Sequence, residues 1–306
     1  MRLSSLPALL SFIGSLASAA LIERQAAATS IYKSTSSSAW IEGMAVRSNG
    51  NVLLNRLDVP ELWSIDPVTK VGTKLLTFTG AASLAGITEI SPDIFAVVTG
   101  NFNTKSFAVK AGSWSVYKVD LTGATPTQTL VKSVPESGFF VGLATFNNDT
   151  IFIADAGKGS LYKMTISTGD YSVVITDPSM KAPSGALIEE GIHGIKYYNG
   201  NVYFSSTFGD TFSKVAIDPV TAKAGAVTSI LTSLQGPEDF AIGPDGTSYL
   251  AVMTKGQVLK ITLDGKSSIA GTVASCTAVA FGRTDKDKGT LYVATSGGAL
   301  FSIPAS

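Results

Sequence analysis

EDFAIGPDGTSYLAVMTKGQVLKITLD, residues 238–264, is the stretch on which the fold turns. It reads as a short apolar strand, a Pro-Asp-Gly turn, a second strand, a loop, and a third strand ending at an aspartate. Apolar and polar residues alternate through each strand, the period-two signature of chain lying in a sheet. Asp245-Gly246 is hairpin chemistry, because both residues tolerate positive φ. The same unit recurs as EGMAVRSNGNVLLNRLDVPELWSID (42–66), AGITEISPDIFAVVT with SWSVYKVD (85–99 and 113–120), VGLATFNNDTIFIADAGKGSLYKMTI (141–166), IHGIKYYNGNVYFSSTFGDTFSKVAID (192–218) and TAVAFGRTDKDKGTLYVATSGGALFSI (277–303). Gly43, Gly86, Gly142, His193, Asp239 and Ala278 are equivalent positions, 43, 56, 51, 46 and 39 residues apart. Six multi-strand units at such spacing predict an all-β, six-bladed β-propeller, since a single blade cannot bury both of its faces. A β-sandwich would not explain six repeats of one pattern.

Composition sets the limits on function. The chain has 306 residues, 23 Lys+Arg against 23 Asp+Glu, one His, one Cys and 30 Gly. Zero formal charge without a basic run removes the electrostatic footprint of a nucleic-acid binder. The lone Cys276 excludes an internal disulfide framework and reads as a buried small residue. No GxSxG elbow is present, and no glycine pair matches a phosphate-binding loop. Residues 1–20, MRLSSLPALLSFIGSLASAA, read as a secretory signal peptide, leaving 21–306 as one propeller domain routed to the secretory pathway, with no membrane insertion. Asn148-Asp149-Thr150 is an N-glycosylation acceptor in an expected hairpin turn. The run Ser34 to Ser38 is either the lead-in to the first blade or its outer closing strand.

Counting back from each turn gives the residues that open the innermost strands: Glu42, Ala85, Val141, Ile192, Glu238 and Thr277, with His193 replacing Ile192 after a one-residue slip. They define one end of the central funnel. Loops at that end add Arg56, Asp155, Lys158 and Phe208, with Trp40, Phe140 and Asp239 nearby. An insertion, Gly100 to Gly112, is placed to act as a lid. Mixed apolar and polar lining of this kind suits a small-molecule pocket. Arg56, His193 and Lys158 are candidate donors, Glu42 and Glu238 candidate acid–base or orienting groups, and Trp40, Phe140 and Phe208 candidate walls; each also has a plain reading as packing or surface. Glu42, His193 and Glu238 can alternatively be read as a His-plus-two-carboxylate metal site or as hydrogen-bonding rim groups.

The repeats resemble the regucalcin/gluconolactonase superfamily of six-bladed propellers over essentially the whole mature chain. Glu42-Gly43 stands where that family has a metal-binding Glu, and Gly236-Pro237-Glu238-Asp239 where it has an Asp ligand. Ile192-His193-Gly194 and Val141 stand where it has two Asn ligands. In that family these groups hold a divalent cation that activates water for lactone opening. Calcium takes six to eight oxygen ligands, which two carboxylates beside Val and Ile do not approach. WIEGMAVRSNGNVLLNRLDVPELWSIDP (40–67) and GPEDFAIGPDG (236–246) are more similar to secreted fungal propellers, a group that includes hetero-Diels–Alderases of tropolone–sesquiterpenoid pathways. That resemblance implies a cofactor-free funnel joining a tropolone-type quinone methide to a sesquiterpene such as a humulene. A cation-dependent lactonase and a non-catalytic ligand-binding propeller remain the alternatives.

Overall fold

The computed structural model describes residues 27–186 and 188–305; the expected signal peptide, 1–20, lies outside them. The described residues form six four-stranded antiparallel sheets and one two-stranded hairpin. The innermost strands are Ile41–Val46, Ser83–Ser91, Phe140–Thr145, Ile192–Tyr198, Pro237–Ile242 and Cys276–Phe281. Each packs against the next, and the sixth packs against the first, so the ring is closed. The six-bladed propeller expected from the repeat is the observed fold. Among the described residues the only helical pieces are two 3-10 turns, Pro178–Met180 and Met253–Lys255.

The ring closes through the amino-terminal end of the described chain. Thr29–Lys33 pairs antiparallel with Ala299–Pro304 and supplies the outermost strand of the sixth sheet. Ser34 to Ser38 is therefore the lead-in to blade 1, and the closing strand lies just before it, in blade 6.

The core sits between blades. Ala144, Phe152 and Leu161 of blade 3 pack on Ile192, Ile195, Val202 and Phe204 of blade 4, all buried. Second strands such as Val52–Arg56 are buried throughout, whereas the fourth, outer strands are half exposed, as in Gly72–Thr77. Cys276 is wholly buried, and burial pushes its thiol up to about 12.

Turn chemistry follows the sequence at most blades. Asn199-Gly200 has positive φ at both residues, and Asp93 and Gly246 also take it. Asn148-Asp149 does not; there the Asn147 side chain accepts from the backbone N–H of Asp149 and Thr150 and closes the turn itself. Asn148 is exposed.

Close approach around the axis depends on glycine. A Cβ on Gly86 would lie 2.1 Å from the Val141 carbonyl oxygen, and one on Gly142 the same distance from that of His193. Gly142→Ala is expected to destabilise the protein by about 1–3 kcal/mol, the usual cost of overpacking. Gly289→Ala, whose Cβ meets nothing within 4 Å, is expected to stay within about 0.5 kcal/mol. Denaturant melts compare the two, and equal losses would contradict this packing.

Candidate functional site

The funnel floor is built by irregular strand pairing. Every innermost strand skips register near its start, and the skips bracket Glu42, Ala85-Gly86, Val141-Gly142, His193-Gly194, Glu238-Asp239 and Thr277. A bulge of this kind re-aims a side chain out of the ladder. His193, not Ile192, takes the blade 4 position; Ile192 is buried in the core between blades 3 and 4.

Three of these six positions meet on the axis. His193 Nε2 lies 2.9 Å from Glu42 Oε1 and 3.4 Å from Glu238 Oε2. Blades 1 and 4 face each other in a closed ring of six, so the first contact spans the channel. A fourth member, Glu190, approaches Nε2 to 3.1 Å from the segment leading into blade 4. The sequence reading missed it. Its only signal was position, at the end of a connection that must finish at the funnel mouth, three residues before His193.

All four side chains are buried or nearly so. Burial works against charge on His193, but the carboxylates of Glu238, Glu190 and Glu42 outweigh it and hold the imidazole pKa well above 6.5. Burial also pushes Glu238 well above 4.5; His193 opposes this, while Glu42, Glu190 and Asp239 add to it. Both shifts favour the protonated forms, because one imidazole cannot balance three clustered carboxylates.

The remaining candidates divide into wall, support and surface. Trp40 lines the cavity, and its indole N–H donates to Glu42 Oε2 at 2.8 Å. Phe208 also lines it. Arg56 does not; its Nε donates to Asp58 Oδ1 at 2.7 Å, and the same oxygen accepts from the Trp40 backbone N–H. Arg56 therefore stands behind Trp40. Phe140 is fully buried against Tyr162. Asp155 is buried too, which raises its pKa although the N–H groups of Gly138, Phe139 and Lys158 oppose the shift. It anchors the Gly138-Phe139 segment, while Lys158 is exposed. Asp239 pairs with Lys196, whose ammonium sits 5.3 Å from the Phe240 ring centroid.

Above the floor lies a cavity of about 360 Å³. The blade 2 insertion forms the hairpin Phe102–Asn103 with Ala108–Val109, and both Phe102 and Phe107 line the cavity. Phe102 stacks on Phe139 at 5.4 Å, and Phe107 meets Trp40 edge-on at 6.1 Å. The lid expectation thus has a structural counterpart, an aromatic hairpin roofing one side of the funnel.

Glu42, His193 and Glu238 each offer one donor atom within 4.8 Å of one another, enough in number for a zinc- or iron-type ion. Calcium does not fit, because the ring positions of blades 2 and 3 are Ala85 and Val141. The set also lacks the support usual for a ligating imidazole, whose second nitrogen donates to a fixed acceptor. His193 Nδ1 is buried with no partner, and Trp40 already occupies one Glu42 oxygen.

No protein-family profile matches the chain. A Phoma protein described as "Putative hetero-Diels-Alderase" is 27% identical over 307 residues, covering 87% of this chain and 85% of that protein. A Sarocladium schorii protein of the same description is 25% identical, covering 87% and 77%. An Aspergillus oryzae lactonohydrolase is 28% identical, but over only 34% of this chain and 23% of its own length. Among solved structures, regucalcin from Agrobacterium tumefaciens, titled a calcium-binding protein, superposes with a TM-score of 0.66 at 16% identity, covering 91% and 94%. A luciferin-regenerating enzyme gives 0.67 at 14%, covering 91% and 95%. The chain thus has the regucalcin-type propeller fold, and over most of its length it is similar to proteins described as hetero-Diels–Alderases.

Two outcomes follow from the floor. Both raised pKa values mean that the folded state holds protons the unfolded chain has released, so stability must fall as pH rises. The fall begins above 4.5, where unfolded glutamate ionises, and steepens above 6.5, where unfolded histidine loses its proton. Glu238→Gln is expected to flatten the lower part of that profile in pH-dependent urea melts. Elemental analysis of purified protein is expected to find less than stoichiometric divalent metal, and a chelator is expected to leave its thermal midpoint unchanged.

Proposed function

We propose that this chain is a pericyclase of the hetero-Diels–Alderase type, joining a tropolone-type quinone methide to an apolar sesquiterpene such as a humulene. The observation that carries the reading is a cavity with aromatic walls over a floor where Glu42, Glu190 and Glu238 cluster on His193, and where burial favours the protonated form of Glu238. Two relatives described as hetero-Diels–Alderases, matching most of the chain, support it.

The chemistry asks little of the protein beyond shape and one donor. A quinone methide offers a four-atom C=C–C=O unit, and the terpene offers an alkene. One C–C bond and one C–O bond form, two π bonds are consumed and one moves, and no proton or oxidant is needed. Holding two reactants at contact replaces an entropic barrier worth up to about 7–11 kcal/mol in well-oriented systems. Charge develops on the quinone methide oxygen, and the Glu238 O–H is the donor placed to meet it. A carboxylic acid kept neutral by its surroundings can act as an oxyanion donor in this way.

The same floor suits formation of the quinone methide from a hydroxymethyl precursor. Glu238 gives its proton to the departing hydroxyl, and a neighbouring carboxylate, Glu190 or Glu42, accepts the ring hydroxyl proton. Water leaves, and proton transfer between the carboxyl groups restores the starting state. His193 keeps the carboxylates together without touching the reacting atoms. Arg56 acts through Asp58 on the placement of Trp40.

Lactone opening is the second reading, favoured by the partial lactonohydrolase match and by the donor set of Glu42, His193 and Glu238. Passage through the secretory pathway, with a glycan on the exposed Asn148, belongs to the same proposal.

The test is direct. Purified protein supplied with a hydroxymethyl tropolone and humulene is expected to give one enantiomer of the cycloadduct, faster than the uncatalysed background. With the quinone methide generated chemically in the assay, so that only the cycloaddition is read, Glu238→Gln, which retains a donor, is expected to lose about tenfold or less, whereas Glu238→Ala loses about 100- to 1,000-fold, the usual cost of removing an oxyanion donor. A racemic product at the background rate, together with metal-dependent hydrolysis of aldonolactones, would replace this reading with the second.

A further inference from the structure

The cavity is chemically two-sided. Blades 1 to 3 supply Trp40, Leu57, Phe102, Phe107 and Phe139, and from them only one carboxyl group, Glu42, with one oxygen already held by Trp40. Blades 4 and 5, with the connections leading into them, supply every other carboxyl, hydroxyl and amide group of the lining, together with the apolar Ile188, Phe208 and Met253. Beside Glu190, His193 and Glu238 the polar residues are Thr207, Asp210, Gln235 and Thr254.

Their partners show which of them are free. The Thr207 hydroxyl donates to the Pro237 carbonyl at 3.0 Å, and Asp210 Oδ1 accepts from the Gly236 N–H at 2.8 Å, leaving Oδ2. The side chains of Gln235 and Thr254 make no hydrogen bond among the described residues. No lysine or arginine is among the described residues that line the cavity. Arg56, the buried guanidinium nearest in sequence to the lining, is held bidentate by Asp58. A carboxylate or phosphate ligand would meet four carboxyl groups against one imidazole, with no free cation to offset its desolvation.

We infer that the cavity sorts its ligands by end: an uncharged hydroxylated ring binds against Gln235, Asp210 and Thr254 on blades 4 and 5, a hydrocarbon binds against the aromatic side under the hairpin, and anions are rejected. The inference rests on the pericyclase reading for the pairing of these two ligands, and on the cavity alone for where each one sits. Phe107 then sets the fit of the hydrocarbon. It stands at the hairpin tip with φ of 55°, is 42% exposed, and closes edge-on against Trp40.

Binding measured without turnover tests the division, with Trp40 fluorescence and calorimetry as readouts. The ligands are humulene, a neutral dihydroxytoluene and the matching dihydroxybenzoate, each alone. The wild-type protein is expected to bind the first two and to bind the benzoate at least tenfold more weakly than the toluene. Phe107→Ala, at an exposed loop tip, is expected to weaken humulene at least fivefold and leave the dihydroxytoluene within twofold. Gln235→Leu combined with Thr254→Val, both at the surface, is expected to do the reverse. Equal effects of both variants on both neutral ligands, benzoate binding as tight as the toluene, or no binding of either neutral ligand, would each overturn the inference. Cycloadduct assays on the same preparations keep the two readings apart. Selective binding without turnover sinks the pericyclase reading alone, and turnover with unselective variants sinks this division alone.

Discussion

One contact across the axis organises this molecule. His193 on blade 4 reaches Glu42 on the opposite blade at 2.9 Å, with Glu190 and Glu238 on the same nitrogen. Most buried ion pairs are expensive, because desolvation cancels much of the Coulomb gain. Here the groups offset one another: burial favours the protonated form of Glu238, and the clustered carboxylates favour the protonated form of His193. The result is a buried cluster of one imidazole and three carboxyl groups under an aromatic cup.

Geometry at the floor depends on the backbone of the ring. The innermost strands come close enough for carbonyl oxygens to sit where a Cβ of the neighbouring blade would be, which is why Gly86 and Gly142 occupy those sites. The register skips beside them take one or two residues out of each ladder at the channel. Blades 2 and 3 use that position for Ala85 and Val141, whereas blades 1, 4 and 5 use it for Glu42, His193 and Glu238. One structural device, repeated around the axis, thereby yields an asymmetric site from near-symmetric blades.

Much of this was legible in the sequence, and the exceptions have physical reasons. Period-two strands and hairpin turns recur on a blade-sized spacing, so the propeller and the channel positions Glu42 and Glu238 could be read directly. His193 could be placed only to within one residue, because a bulge breaks the period-two count at that point. Glu190 was invisible, since it sits in an irregular connection with no repeat partner. Arg56 and Lys158 were assigned to the mouth by loop position and Phe140 by nearness to it, but side-chain direction separates them: Arg56 turns to Asp58, Phe140 to Tyr162, and Lys158 to solvent. The outer closing strand was missed because half-exposed strands carry little apolar pattern.

The chain contains a single histidine, so the state of the floor can be read from one resonance. Imidazole nitrogen shifts recorded across a pH series on metal-free protein measure the protonation of His193 directly. This account predicts one imidazolium signal that persists well above pH 6.5, the ordinary histidine value, and does not move when a divalent metal is added. A neutral imidazole at neutral pH, or a signal that shifts stoichiometrically on titration with zinc, would show that the floor is a metal centre and not a proton-held cluster.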